Sequence, residues 1–204
     1  MSRRDWLAVG MASVGLAAFV GCLAPGGGDP DRVPGATWAL GGGITLAAIA
    51  VLVFFGHRLP REHGAALLGV ATGAAFGLNS SLIAGAGAAV AHGHSLLVTW
   101  QTYAVVALAP ASFFLLQNAL RKGNLVATQP GFTLTNPLVS VAWGLAVFGE
   151  QGRGGLFLIG TVAGAALIGA GTILLSRSRL LDPHATHQEK EPAQRRRTPA
   201  VFGR

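Results

Sequence analysis

The side chains best suited to binding chemistry in this chain carry no charge. Asn79, Gln101, Tyr103, Gln129, Thr135 and Asn136 all lie inside long apolar stretches. In an apolar helix, an amide or hydroxyl either ties two helices together or lines a polar path. Three successive stretches hold such groups: Asn79-Ser80-Ser81, then Thr99 to Gln117, then Gln129 to Ser140. That succession favours a shared cavity for a small-molecule substrate, with Gln101, Tyr103 and Asn136 as its leading candidates. Pro110, Pro130 and Pro137 interrupt the same stretches and are candidate helix breaks. Backbone that leaves the helical ladder inside a bilayer must find other partners or line a cavity.

Other chemistry is weakly represented. The sequence holds no phosphate-binding glycine loop, no nucleophile elbow and no paired buried carboxylates, so neither an enzyme nor a cofactor is expected. His92 and His94 form an H-G-H turn with no third metal ligand nearby in sequence, and no metal site is expected. The single Cys22 excludes an internal disulfide. Glu150 reads as a helix-end anchor.

The elements that position these residues are apolar and long. Of 204 residues, 51% are hydrophobic and 11% charged, where a soluble domain carries about 25% charged residues. No Asp, Glu, Lys or Arg occurs between Gly64 and Leu120. A bilayer crossing takes about 20 apolar residues, and six segments qualify, at 6–24, 37–56, 64–91, 95–120, 125–148 and 155–175. The third is long and should tilt, or bend near Asn79-Ser80-Ser81. The reading is an all-α, polytopic membrane bundle. Gly69, Gly73 and Gly77 recur at every fourth position, as do Gly160 and Gly164, and should let neighbouring helices approach closely.

Charge orients the segments. All the lysines and arginines except Arg32 and Arg153 fall before span one, between spans two and three, between four and five, or after six. The positive-inside rule then places both termini in the cytoplasm, for a multi-pass protein of the cell membrane. The formal charge of +7 is explained by this topology, and no nucleic-acid partner is expected. The residues 181–204 are polar and basic and should form a disordered cytoplasmic tail. The arginines ahead of Trp6 and the Gly21-Cys22 pair outline a signal peptide. The apolar run to Ala24 is longer than usual for one, and is read as a retained span.

From Gln117 the sequence resembles the drug/metabolite transporter superfamily, in its EamA-like and NIPA-like branch. The residues concerned are Gln117, Ala119, Gly123, Leu125 and Ala127, then Pro130, Pro137, Gly144 and Phe148-Gly149-Glu150; Gln101-x-Tyr103 is also similar. The resemblance implies inverted five-helix repeats and alternating access around a midplane cavity. It aligns this chain as one five-helix repeat plus one extra N-terminal helix, with the cavity bordered by spans three, four and five. It implies transport of a small metabolite or, by NIPA-like analogy, of Mg²⁺. About four helices of the usual ten have no counterpart, so the expectation is a transporter fragment, or a short protein completed by an oligomer or a partner chain. The alternative from another class is a non-transporting membrane subunit.

Overall fold

The computed structural model describes residues 3–23, 26–123, 125–151 and 156–176. Six long helices follow one another: α1 (Arg3–Leu23), α2 (Gly35–Arg58), α3 (Arg61–Ala91), α4 (Trp100–Lys122), α5 (Leu125–Ala146) and α6 (Leu156–Ser176). A single 3-10 turn, Pro30–Arg32, precedes α2. The chain is all-α, as its pattern predicts. The expected tail at 181–204 and Arg153 lie outside the described residues.

Local chemistry sets the helix ends. Leu59 precedes Pro60 and is extended, with φ −79° and ψ 161°, as the residue before a proline prefers. That dipeptide turns α2 directly into α3. Gly93 leaves α3 with φ +89°, and the His94 N–H returns to the Ala89 carbonyl at 3.0 Å. The fourth helix starts at Trp100 rather than at 95, because Ser95 holds the preceding residues in turns. Its carbonyl accepts from Val98 N–H (3.0 Å) and from Thr99 Oγ1 (3.0 Å), and its hydroxyl from Leu97 N–H (3.4 Å).

The third helix is the axis of the bundle, packing against α2, α4 and α5. Its most apolar stretch is 67% buried, against 6% for α2 and 11% for α4, so α3 forms the core while the other two turn their surfaces outward. The glycine stripe does what its spacing predicts. A Cβ on Gly73 would stand 2.7 Å from the Phe132 carbonyl oxygen, and one on Gly77 2.7 Å from Val139 Cβ. At Gly69 it would run into the Thr128 carbonyl. A second tight pair joins α1 to α6, which meets the rest of the bundle through α5. There Gly164 admits the Phe19 backbone, Gly15 admits the Gly164 carbonyl, and Gly160 faces Cys22 Sγ.

Contrary to the expectation from sequence, Pro110, Pro130 and Pro137 do not break their helices: α4 and α5 run through them. A proline deletes one donor and crowds the carbonyl four residues back. The remaining ladder closes on either side, leaving the carbonyls of Val106, Val126 and Thr133 without their usual helical donors. The third helix likewise runs unbroken through Asn79-Ser80-Ser81. The hydroxyls of Ser80 and Ser81 turn back to the carbonyls of Phe76 (3.0 Å) and Gly77 (3.1 Å).

The successive helices alternate in direction, so the charged residues gather at two ends. At one end Lys122 Nζ donates to the His57 carbonyl at 2.9 Å, close to Arg58, Arg61 and Arg121. At the other end, Arg32 pairs with Asp29 at 3.0 Å. Between the ends the outer faces are apolar, with Leu40, Ile44, Phe54, Val106, Phe113 and Phe114 all more than half exposed. Monomeric soluble proteins rarely expose so many large apolar side chains together, and such surfaces mark membrane or protein contact. Three helices (α2, α3 and α4) are long and apolar enough to cross a bilayer. These are the properties of a membrane-embedded helical bundle.

The Phe148-Gly149-Glu150 sequence closes α5. The Phe148 ring is buried beside Trp38 and Trp143. Gly149 takes φ +70°, and the Glu150 N–H returns to the Gly144 carbonyl at 2.9 Å. The Glu150 side chain then folds over Gly144 and Gly28. Gln151 adds a two-way backbone bridge to Gly26, at 2.9 and 3.3 Å. Glu150 is therefore a loop anchor, as its position suggests. Since a side chain at positive φ is strained by about 1–2 kcal/mol, Gly149→Val should lower the thermal midpoint in detergent, and Gly149→Asn should lower it less.

Candidate functional site

A cavity of about 600 Å³ lies between α1, α3, α5 and α6. Its polar lining comes from Ser13, Ser80, Thr133, Asn136, Ser140 and Thr172. Leu16, Phe19, Val141 and Ile168 supply apolar walls, and Pro137 stands beside Asn136. Among the described residues no Asp, Glu, Lys or Arg lines it.

The hydrogen-bond state of these groups decides what the cavity can bind. The hydroxyl hydrogens of Ser80, Ser140 and Thr172 are spent on the carbonyls of Phe76 (3.0 Å), Asn136 (3.0 Å) and Ile168 (2.8 Å). Each oxygen keeps lone pairs free to accept. Pro137 has no N–H, so the Thr133 carbonyl, four residues back, has lost its helical donor. The site therefore offers acceptors at these oxygens and at the Thr133 carbonyl, and donors at the Asn136 amide and the Ser13 and Thr133 hydroxyls. A ligand that satisfies it must bring N–H or O–H groups.

Of the six residues singled out from sequence, only Asn136 lines this cavity. Thr135 sits in the α3–α5 seam, with its Cβ against Gly73. Asn79 is buried, and neither its Oδ1 nor the Oε1 of Gln129 has a hydrogen-bond partner. Gln101 is buried at a different site, a recess at the Asp29 end lined also by Asp31, His94 and Thr99. Tyr103 is 61% exposed and donates to the Leu97 carbonyl at 2.6 Å. The Asn136 cavity is bordered by α1, α3, α5 and α6, and α4, expected from sequence at its border, supplies no wall. The reason is packing order: α4 lies on α3 and hardly meets α5, so its polar groups do not join those of α5.

Ser13 and Thr172 were not singled out from the sequence. Each is an isolated hydroxyl in an apolar helix, and only the pairing of α1 with α6 brings them to Asn136. At the Asp29 end, His92 lies 3.6 Å from both Asp29 and Asp31, a meeting of segments distant in sequence. Among the described residues no group of three or more His, Cys, Asp or Glu is disposed to hold a metal ion.

No family model matches the chain, and no curated protein or solved structure matches it either.

Proposed function

We propose that this chain is an integral membrane transporter, or part of one, that moves a small polar organic solute by alternating access. The observation that carries this reading is the uncharged cavity around Asn136, set among apolar helices. Its solute would be a polyol, amide or amine, since these bring donors for the carbonyl and hydroxyl oxygens that line the cavity. Inside a low-dielectric bundle, unmatched acceptors are costly, so a matched solute would bind selectively. A divalent cation gains no support, because the cavity holds no carboxylate.

In this reading all six helices cross the membrane and both termini are cytoplasmic. The gathering of Arg58, Arg61, Arg121 and Lys122 at one end supports that orientation. A reporter enzyme active only outside the cytoplasm, fused after Arg204, should give no signal. Signal from it would overturn the orientation.

Transport is tested by counterflow in proteoliposomes with labelled mannitol, putrescine and serine amide as probes. At least one should exchange. Asn136→Leu should reduce that exchange by at least about tenfold, equivalent to ~1.4 kcal/mol of lost stabilisation, with unchanged protein content. Gln101→Leu should leave it unaltered. Exchange of none of the probes, or full exchange by Asn136→Leu, would remove the cavity from a transport role. A second reading, a subunit that docks against another membrane protein, is favoured by the exposed Tyr103, Val106, Phe113 and Phe114 along α4.

A further inference from the structure

A second cavity lies apart from the Asn136 site. The helices α2 and α4 both pack on α3 and meet each other where the Trp38 ring stands edge-on to that of Trp100. The gap between them is an apolar cleft of about 600 Å³. Leu78 and Leu82 of α3 line it, with Trp143 of α5. The α2 wall is Gly35, Ala39, Gly42, Gly43 and Leu46; the α4 wall is Trp100, Ala104 and Leu108.

Three features of this cleft point to its occupant. First, three glycines of α2 are not required by packing. A Cβ on Gly35, Gly42 or Gly43 would meet nothing within 4 Å, whereas one on Gly69 or Gly73 of α3 would press against the α5 backbone. Glycine inside a helix is about 0.5–1 kcal/mol worse than alanine, so these positions give up helix stability and keep space open. Second, the cleft follows α2 from Gly35 to Leu46, about 16 Å at 1.5 Å per residue. That is about half of the ~30 Å hydrocarbon core, the depth of one leaflet. Third, the cleft continues at its Asp29 end into a polar recess of about 280 Å³, sharing Gly35, Trp38 and Trp100 with it. Asp31, His94, Thr99 and Gln101 line that recess, and among the described residues no Lys or Arg does. Among the described residues the Asp31 carboxylate is paired with His92 alone, 3.6 Å away, while Arg32 is held by Asp29 at 3.0 Å.

We propose that this cleft is a lipid site: it takes one acyl chain of a phospholipid with an amine headgroup, and Asp31 at its mouth meets the ammonium. The apolar walls exclude a polar solute from the cleft itself. The acidic mouth disfavours an anionic headgroup and favours a cationic one. The site requires that α2, α3 and α4 be embedded in a bilayer, and does not depend on transport through the Asn136 cavity.

The test uses the full chain in detergent micelles, with Trp6→Phe and Trp100→Phe removing the two exposed indoles. Trp38 and Trp143 remain, 3% and 4% exposed, so lipid on the outer surface reaches them poorly. Phosphatidylethanolamine with brominated chains should quench their emission saturably, and unbrominated phosphatidylethanolamine should reverse the quenching by competition. Gly42→Leu with Gly43→Leu should weaken the apparent affinity at least about tenfold, with an unchanged circular dichroism spectrum. Brominated phosphatidylglycerol should bind at least about tenfold more weakly than the ethanolamine lipid, and Asp31→Asn should erase that preference. Absence of saturable quenching, or no competition, would overturn the site. Equal binding of the two lipids before Asp31 is changed would overturn the amine assignment. If light scattering instead shows a dimer that the leucine variant dissociates, the cleft belongs to a second copy and the lipid proposal fails.

Discussion

Gly73→Leu should leave little folded protein. The new Cβ would stand 2.7 Å from the Phe132 carbonyl oxygen, 2.9 Å from Thr135 Cβ and 3.1 Å from the Asn136 nitrogen. Two of these are backbone atoms, which cannot swing aside as a side-chain end can. Overpacking of a dense interior commonly costs about 1–3 kcal/mol. Here the cost should reach or exceed the top of that range, because α3 and α5 would have to separate along their whole seam. The damage should extend to Asn136, whose backbone lies at the contact. In a titration with sodium dodecyl sulfate, the unfolding midpoint should fall sharply. Gly42→Leu, where an added Cβ meets nothing within 4 Å, is the control and should unfold near the wild-type midpoint. A Gly73→Leu protein as stable as that control would mean that α3 and α5 are not in close contact.

The second large effect is expected from Trp38→Ala. Trp38 is 3% exposed and stands at the centre of the aromatic cluster. Its ring centroid lies 5.4 Å from that of Trp100, 5.2 Å from Trp143 and 5.3 Å from Phe148, and its Nε1 donates to the Pro30 carbonyl at 3.3 Å. Removing a buried tryptophan costs about 3–5 kcal/mol, from lost contacts and from the hole left behind. Trp38→Phe keeps most of the ring contact and loses the hydrogen bond, for about 1 kcal/mol. The same titration should rank wild type above Trp38→Phe, and Trp38→Ala well below both. Equal midpoints for the two variants would place the contribution in the hydrogen bond instead of the ring packing.

What could be foreseen from sequence follows from what repeats locally. Gly69, Gly73 and Gly77 are read as a packing stripe because positions four apart share a helix face, whichever neighbour arrives. Arg58, Arg61, Arg121 and Lys122 gather at one end because their segments alternate in direction. The prolines mislead for a local reason: each removes a single hydrogen bond, and whether the helix breaks depends on its neighbours. Gln101 and Tyr103 illustrate the other limit. Both lie in the first turns of α4, yet one is buried in an acidic recess and the other points outward. Their fate is set by the order of the helices around α3, which no pattern within α4 encodes. Ser13 and Thr172 reach Asn136 for the same kind of reason, through the α1–α6 pair.

Water and solute are proposed to reach Asn136 through the cavity between α1, α3, α5 and α6, while the outer faces of the helices meet lipid. Cysteine accessibility tests it directly, because Cys22 is the only native cysteine. In a Cys22→Ser background, cysteines are placed singly at Ser80 and Asn136, and at Phe114 on an outward face (70% exposed). The reconstituted proteins are exposed to a charged, membrane-impermeant methanethiosulfonate, which reacts with the thiolate that forms only where water reaches. Labelling of the Ser80→Cys and Asn136→Cys proteins, with Phe114→Cys left unlabelled, is the predicted result. Labelling of Phe114→Cys with the other two protected would contradict the account, placing water on the outer faces and a dry core at Asn136.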